Sequence, residues 1–302
     1  MSVALAFATT WIAAAVLVRF AALVGRDGGG DPAPLARKAH RPPVPEVGGL
    51  AICAGLFAYT LAGGGELPWP ALLAALALGT LDDVLARGLS APAKLLGQVA
   101  VGALLALAGP RDPAAFAGTV ALAVVAQNAA NTFDNADGAT TVAGCLGTAR
   151  VPGVLAALLA FLPANLFLRR RAGAASVPAA YLGDAGSHVV GVLLAWVPGG
   201  VWALWLPLLD LARVVAVRLA SGEAPWVGDR RHLAHRLEAA GLAPAAVAAV
   251  LVLIGAPPVL AHYAALGTAL HGPAVVIGAA LASAFFGIAL LATRPAGEAA
   301  RP

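Results

Sequence analysis

The sequence predicts an all-α, polytopic integral membrane protein of about ten or eleven transmembrane helices, with its polar, chemistry-bearing loops at one face. Of 302 residues, 60% are hydrophobic and 11% charged. An ordinary soluble domain carries about 25% charged residues, so this inventory cannot furnish a water-exposed surface. Apolar stretches recur along the whole chain, each near the roughly 20 residues that carry a helix across a bilayer core. A closed barrel is disfavoured, because its strands would show alternating polarity over about ten residues.

Taken in order, the first apolar run, 2–24, has no basic residues before it and is long enough to stay as a span rather than be cleaved as a leader. The second, 47–63, follows a charged stretch. The third, 67–81, is short and stops at Asp82-Asp83. Spans at 92–109 and 114–131 follow, the latter running into asparagines. A short sixth span, 138–149, leads to 151–168. The eighth, 186–198, begins just after Gly183-Asp184, and the ninth covers 200–218. In the tenth, 241–265, Pro257-Pro258 is expected to kink or split the helix. The eleventh is 272–293. Ala and Gly dominate throughout, which lets helix backbones approach closely in lipid. No repeat of fixed period is present, and the chain reads as one transmembrane domain over 1–302, with its motif-bearing core at 37–237.

Parity then sorts the loops. Segments 25–46, 82–91, 132–137, 169–185 and 219–240 fall on one side, and the turns near 63–66, 110–113, 150, 199 and 266–271 on the other. Of the 19 Lys and Arg, only Arg111 and Arg150 lie on the second side. The positive-inside rule therefore places the polar segments in the cytoplasm. A net charge of +4 suits such loops over anionic lipid and is a poor argument for nucleic acid. Cys53 and Cys145 sit in apolar segments without metal-ligand spacing and read as buried thiols.

Five polar stretches could carry chemistry. Asp82-Asp83 ends a short span, with Lys94 just inside the next apolar segment. Adjacent carboxylates near hydrocarbon are costly, and at a helix carboxyl end they oppose the macrodipole. Asn128, Asn131 and Asp134 share a helix face at intervals of three, followed by Asn135, Asp137 and Gly138. Such hard oxygens suit magnesium or phosphate, although amides bridging helices and Asp caps are the plain structural alternative. Gly183-Asp184-Ala185-Gly186-Ser187 lets backbone approach an anion while the Asp holds a cation. Arg230, Arg231, His232, His235 and Arg236 place phosphate-binding forks and donors in one short run, which could also be a positive-inside anchor. Arg37-Lys38-Ala39-His40-Arg41, followed by Pro45-Glu46-Val47-Gly48-Gly49, is the fifth, or else only a charged loop.

In this order the five stretches resemble the polyprenyl-phosphate N-acetylhexosamine-1-phosphate transferase family, which includes the UDP-GlcNAc:undecaprenyl-phosphate enzymes and the phospho-MurNAc-pentapeptide translocases. The family pattern has Arg-Lys-x-His and Pro-x-x-Gly-Gly, an Asp-Asp pair, Asn-x-x-Asn-x-x-Asp, Gly-Asp-x-Gly-Ser, and a His-rich segment before Arg-Leu. The likeness spans roughly 37 to 237, and the first loop reads like the GlcNAc type rather than the peptidoglycan type. Asn135 stands where the family usually has Gly, Ala139 where it has Leu, and Ala234 where it has the middle His. The first two departures put the loop backbone in question, and the third removes a potential phosphate contact.

The resemblance implies that a lipid phosphate attacks the β-phosphorus of a UDP-N-acetylhexosamine, GlcNAc by first choice, releasing UMP and leaving a sugar-diphospho-polyprenyl lipid. It implies catalytic roles for Asp82, Asp83, Lys94, Asp134, Asp137, His232 and His235. Substrate-binding roles fall to Lys38, His40, Asn128, Arg231 and Arg236. Mg2+, with Mn2+ as an alternative ion, would be held by Asp184 and Asn131. The implied setting is a bacterial-type cytoplasmic membrane with the site facing the cytoplasm, a polyprenyl phosphate partner, no nucleic acid, and a homodimer as a candidate assembly. The competing expectations are a catalytically impaired paralogue and a transporter.

Overall fold

The computed structural model describes residues 1–20, 26–27, 44–85, 88–109, 112–172, 175–224 and 230–293. Its helices are α1 (Ser2–Arg19), α2 (Gly48–Leu61), α3 (Trp69–Val84), α4 (Ala91–Ala106), α5 (Pro113–Phe133), α6 (Ala139–Gly147), α7 (Pro152–Leu162), α8 (Gly183–Trp196), α9 (Trp205–Ala220), α10 (Leu233–Ala239), α11 (Pro244–Ala265) and α12 (His271–Ala292). Proline occupies the first turn of α3, α4, α5, α7 and α11, where its missing N–H would be unpartnered anyway. Asp112 caps α5, its Oδ2 accepting from the Ala115 amide at 2.7 Å.

Around α8, whose residues from Ala185 to Leu194 are buried, pack α2, α3 and α5. The main core gathers Ile52, Leu56, Leu72, Leu158, Phe161 and Leu193. A second cluster, with Phe133, Leu206, Leu233, Leu251 and Phe286, seats α10 among α9, α11 and α12. Outward faces are the reverse of a soluble protein's: Ile12 on α1, Leu253 on α11 and Ile277, Ile288 and Leu291 on α12 are exposed. Among the described residues, five helical segments, Ser2–Arg19, Pro113–Phe133, Gly200–Ala220, Pro244–Ala265 and His271–Ala292, are long and apolar enough to cross a membrane. The protein is a multi-pass, all-α membrane protein. Cys53 and Cys145 are buried, unpaired thiols.

The loops sort into two ends, as parity predicts. At one end Arg150 donates to the Tyr263 carbonyl at 3.3 Å and the His262 and His271 rings share a 2.8 Å hydrogen bond, while Gly199 packs on His262. At the other end, β2 (Val44–Pro45) pairs antiparallel with β1 (Arg26–Asp27), and Glu46 bridges to Tyr181.

Four local expectations change. Pro257 and Pro258 do not split α11, which is continuous over 22 residues. Gly278 of α12 lies against the Pro257 carbonyl and the Pro258 backbone, a close approach through which a neighbouring helix supports a proline-bearing one. The sixth span shrinks to the nine residues of α6. Inside 169–185, expected as loop, β3 (Arg169–Ala172) pairs with β4 (Ala175–Pro178) as a hairpin. Within 219–240, the short helix α10 turns back into the bundle because Leu233 and Leu237 are apolar and bury.

Candidate active site

The site is built where α3, α4, α5 and α8 meet at the polar end of the bundle. Each helix brings its polar residue to the same place for a local reason. Pro45 accepts from the Tyr181 amide at 2.8 Å and Tyr181 accepts from the Gly48 amide at 3.2 Å, which fixes the strand before α8. Gly183 then takes φ of +74°, a left-handed turn open to glycine at little cost, and α8 starts. Its leading amides are caught by Asp83. Oδ1 accepts from Asp184 N at 2.9 Å and Oδ2 from Ala185 N at 3.0 Å. A carboxylate there satisfies two unpaired helix donors and faces the positive end of the dipole. Gly79 makes this possible, since any side chain at that position would collide with the Asp184 and Ala185 backbone.

Asp82 turns the other way. Its Oδ1 accepts from the Leu89 amide, and its Oδ2 pairs with Lys94 Nζ at 2.8 Å. The same ammonium reaches Asp184 Oδ2 at 2.5 Å. Asn131 Nδ2 donates to Asp184 Oδ1 at 2.6 Å and to Ser187 Oγ at 3.0 Å. One lysine thus bridges carboxylates from two helices, and one asparagine ties the second carboxylate to α5.

Asp134, just past α5, is half-buried. It is held well above the ordinary carboxylate range, first by burial and then by the negative charge of Asp184, with Asp137, Asp83 and Glu46 adding to it. Asp137 is paired to Arg169 of β3 at 2.7 Å, and Arg169 is itself braced by Ser176. Asp82 and Asp184 therefore share one ammonium, and Asp83 and Asp134 both lie within electrostatic reach of Asp184. Among the described residues, no three acidic, histidine or cysteine side chains stand close enough to enclose an ion alone. The donor set fits a hard cation held by one or two protein oxygens together with ligand phosphates.

The other expected site residues have these partners. Asn128 donates to Gln98 Oε1 at 2.7 Å, an interhelical bond one turn below the cluster. His232 bonds through Nδ1 to Asp210 Oδ2 at 2.8 Å, and Asp210 also accepts from Arg213 and the Leu233 amide. His235 is buried on the same short helix. Arg231 pairs with Glu223 at 2.6 Å, and Arg236 Nη2 bonds the Leu290 and Thr293 carbonyls at the end of α12. α10 and Phe133, at the end of α5, share one apolar cluster. Lys38 and His40 lie outside the described residues.

Sequence reasoning missed Asp210 as the anchor of His232, Arg169 as the partner of Asp137, and His188, one turn below Asp184. Asp210 carried a signal, as a carboxylate well inside an apolar span. The three departures from the family pattern are accommodated. Asn135 has an ordinary backbone, since among the described residues positive φ is confined to glycine, and it bonds the Thr132 carbonyl at 2.9 Å. Ala139 and Ala234 are buried against the second apolar cluster.

No family model matches the chain. Over 275 residues it is 26% identical to the undecaprenyl-phosphate alpha-N-acetylglucosaminyl 1-phosphate transferase of Escherichia coli K12, covering 74% of this chain and 72% of that protein. The Yersinia pestis protein of the same name is 25% identical over 259 residues, 69% of each chain. The decaprenyl-phosphate N-acetylglucosaminephosphotransferase of Mycobacterium leprae is 27% identical over 285 residues, 68% of this chain and 69% of that one. The ordered motifs and the converging carboxylates thus accompany a similarity, over 68–74% of the chain, to proteins named as polyprenyl-phosphate N-acetylglucosamine-phosphate transferases.

Proposed function

We propose that the protein transfers a sugar-1-phosphate, GlcNAc-1-phosphate by first choice, from a UDP-sugar to a polyprenyl phosphate, releasing UMP. The supporting observation is the Lys94 ammonium lodged between Asp82 and Asp184 at the start of α8, at the polar end of an otherwise lipid-facing bundle. Its relatives are named as phosphotransferases on polyprenyl phosphates, and this chain is read as a phosphotransferase.

One phosphoanhydride replaces another, so the protein's task is positioning and charge neutralisation. A lipid phosphate oxygen attacks the β-phosphorus of the donor, the bond to the α-phosphate oxygen breaks, and UMP leaves with that electron pair. The lipid phosphate is largely dianionic at neutral pH, its second pKa being about 6, so it needs no strong base. Lys94 meets incoming phosphate charge. Asp83 keeps α8, and with it Asp184, in place. Asp184 would hold Mg2+ with the Asn131 amide oxygen as second protein ligand, and the ion would supply charge neutralisation across the diphosphate. The site is assigned to the cytoplasmic face on the distribution of Lys and Arg.

The test is a detergent or proteoliposome assay offering several UDP-sugars with undecaprenyl phosphate and following UMP. Lipid-dependent UMP release from UDP-GlcNAc is expected, and excess EDTA should silence it. UDP-sugar binding without UMP release would support the impaired-paralogue reading instead.

A further inference from the structure

Three helices that meet at the carboxylate cluster each carry a second polar residue one turn deeper. Gln98 follows Lys94 by four on α4, His188 follows Asp184 by four on α8, and Gln127 precedes Asn131 by four on α5. Residues four apart share a helix face. Since α4 and α8 run away from the site and α5 runs toward it, the second residues form a layer beneath the first. Register is fixed by contacts. Gln127 Nε2 donates to the Gln98 carbonyl at 3.4 Å, and Gly191 packs so tightly on α5 that a Cβ there would stand 2.7 Å from Gln127 Cα. His188 lies on that face between Ser187 and Gly191, within electrostatic reach of both Lys94 and Asp184.

The two layers differ in how well they are satisfied. Lys94, Asp184 and Asn131 are bonded to one another. Below them, Gln98, Gln127 and His188 are at most 1% exposed, yet both His188 ring nitrogens, Gln98 Nε2 and Gln127 Oε1 have no hydrogen-bond partner in the protein. Each such atom costs about 1–3 kcal/mol, and lipid offers nothing to relieve it. The orphans are complementary. A neutral imidazole supplies one donor and one acceptor on opposite edges, Gln98 a donor and Gln127 an acceptor, a set that buried waters satisfy. An aliphatic residue at 188 would carry no such cost, and its neighbours Val189, Val190 and Val192 are aliphatic.

We propose that Gln98, Gln127 and His188 enclose buried water beneath the site, and that His188 is a positioning residue that steadies the Lys94–Asp184 pair through it. The positioning half rests on the transferase reading, and the hydration half does not. Radiolytic hydroxyl-radical footprinting of the full chain in detergent, in H2(18)O, tests hydration. His188 should take up label while Phe161, equally 0% exposed, stays silent. A His188 as silent as Phe161 overturns it. For positioning, His188→Leu should lower kcat by roughly 10–100-fold, with KM little changed and a melting temperature no lower than wild type, and His188→Gln should recover most of the loss. Wild-type kcat in His188→Leu, or a loss that tracks a lower melting temperature, overturns it. If the wild-type chain releases no UMP from any donor, that failure belongs to the transferase reading, and footprinting still decides the hydration.

Discussion

Replacing Lys94 by Met keeps the length of the side chain and removes the charge between two carboxylates. The 2.8 and 2.5 Å legs from Nζ put Asp82 Oδ2 and Asp184 Oδ2 no more than about 5.3 Å apart. At an effective dielectric of about 20, two unit charges at that separation repel by about 3 kcal/mol. Removing one member of a buried ionic group commonly costs about 3–5 kcal/mol, and all three side chains here are less than a third exposed. Lys94→Met should therefore lose about 3 kcal/mol, a melting shift of roughly 6–12 °C by the scaling for mid-sized domains. Adding Asp82→Asn should restore most of it, because the repulsion needs both charges. Thermal unfolding of the two variants and wild type in one detergent completes the comparison. A Lys94→Met protein as stable as wild type, or a double variant no better than the single, would refute the bridging role.

Other outcomes follow from the same geometry. Asp184→Asn should abolish UMP release while gel filtration shows an intact protein, and wild-type turnover in that variant would remove the metal assignment. Asp134 has its folded-state pKa raised, so its favourable contribution is present at low pH and is lost as pH climbs through the folded value. Asp134→Asn should thus melt higher than wild type by a margin that widens with rising pH, as a series of melts from acid to mildly alkaline buffer would reveal. Asp210→Asn should loosen the hold on His232 and Leu233. Faster hydrogen exchange at the Leu233 amide is expected, with turnover reduced roughly 10–100-fold. Arg169→Gln frees Asp137 from its 2.7 Å partner and should lower stability by about 1 kcal/mol or less at this partly exposed position.

Much of the architecture was legible because lipid imposes one rule, that every spanning segment be apolar and internally bonded, and such segments announce themselves. The carboxylate cluster was legible for the converse reason. Asp82, Asp83, Asn131 and Asp184 are expensive where they stand, at the polar ends of apolar spans on one predicted side, so they pointed to a shared task. What the sequence hid was direction. Asn128 and Asn131 lie on one helical stripe, yet Gln98 on the neighbouring helix draws Asn128 away while Asp184 draws Asn131 in. Arg231 and Arg236 look like phosphate forks in one dimension, and the fold adds Glu223 and the carbonyls at the end of α12 among their partners. Pro257-Pro258 reads as a kink or a split, and the helix that bears it stays continuous with Gly278 beside it. Each of these outcomes is decided by a partner far away in the chain, which local spacing does not encode.

Three of the four helices that carry the site, α3, α4 and α8, are short, and α2 packed beside α8 is short as well. α2 and α8 have 14 residues and α3 and α4 have 16, whereas α5, α11 and α12 have 21 or 22. At 1.5 Å per residue the first group measures about 21–24 Å, against a hydrocarbon slab of about 30 Å. Lipid against the exposed faces of α3 and α4 must thin or tilt to meet them, while α11 and α12 are long enough to match an ordinary bilayer. A long-chain isoprenoid arriving there would find its anionic head drawn inward toward the lysine without leaving the bilayer. On the proposed function, uneven thickness around one small protein would thereby help to gather its lipid acceptor.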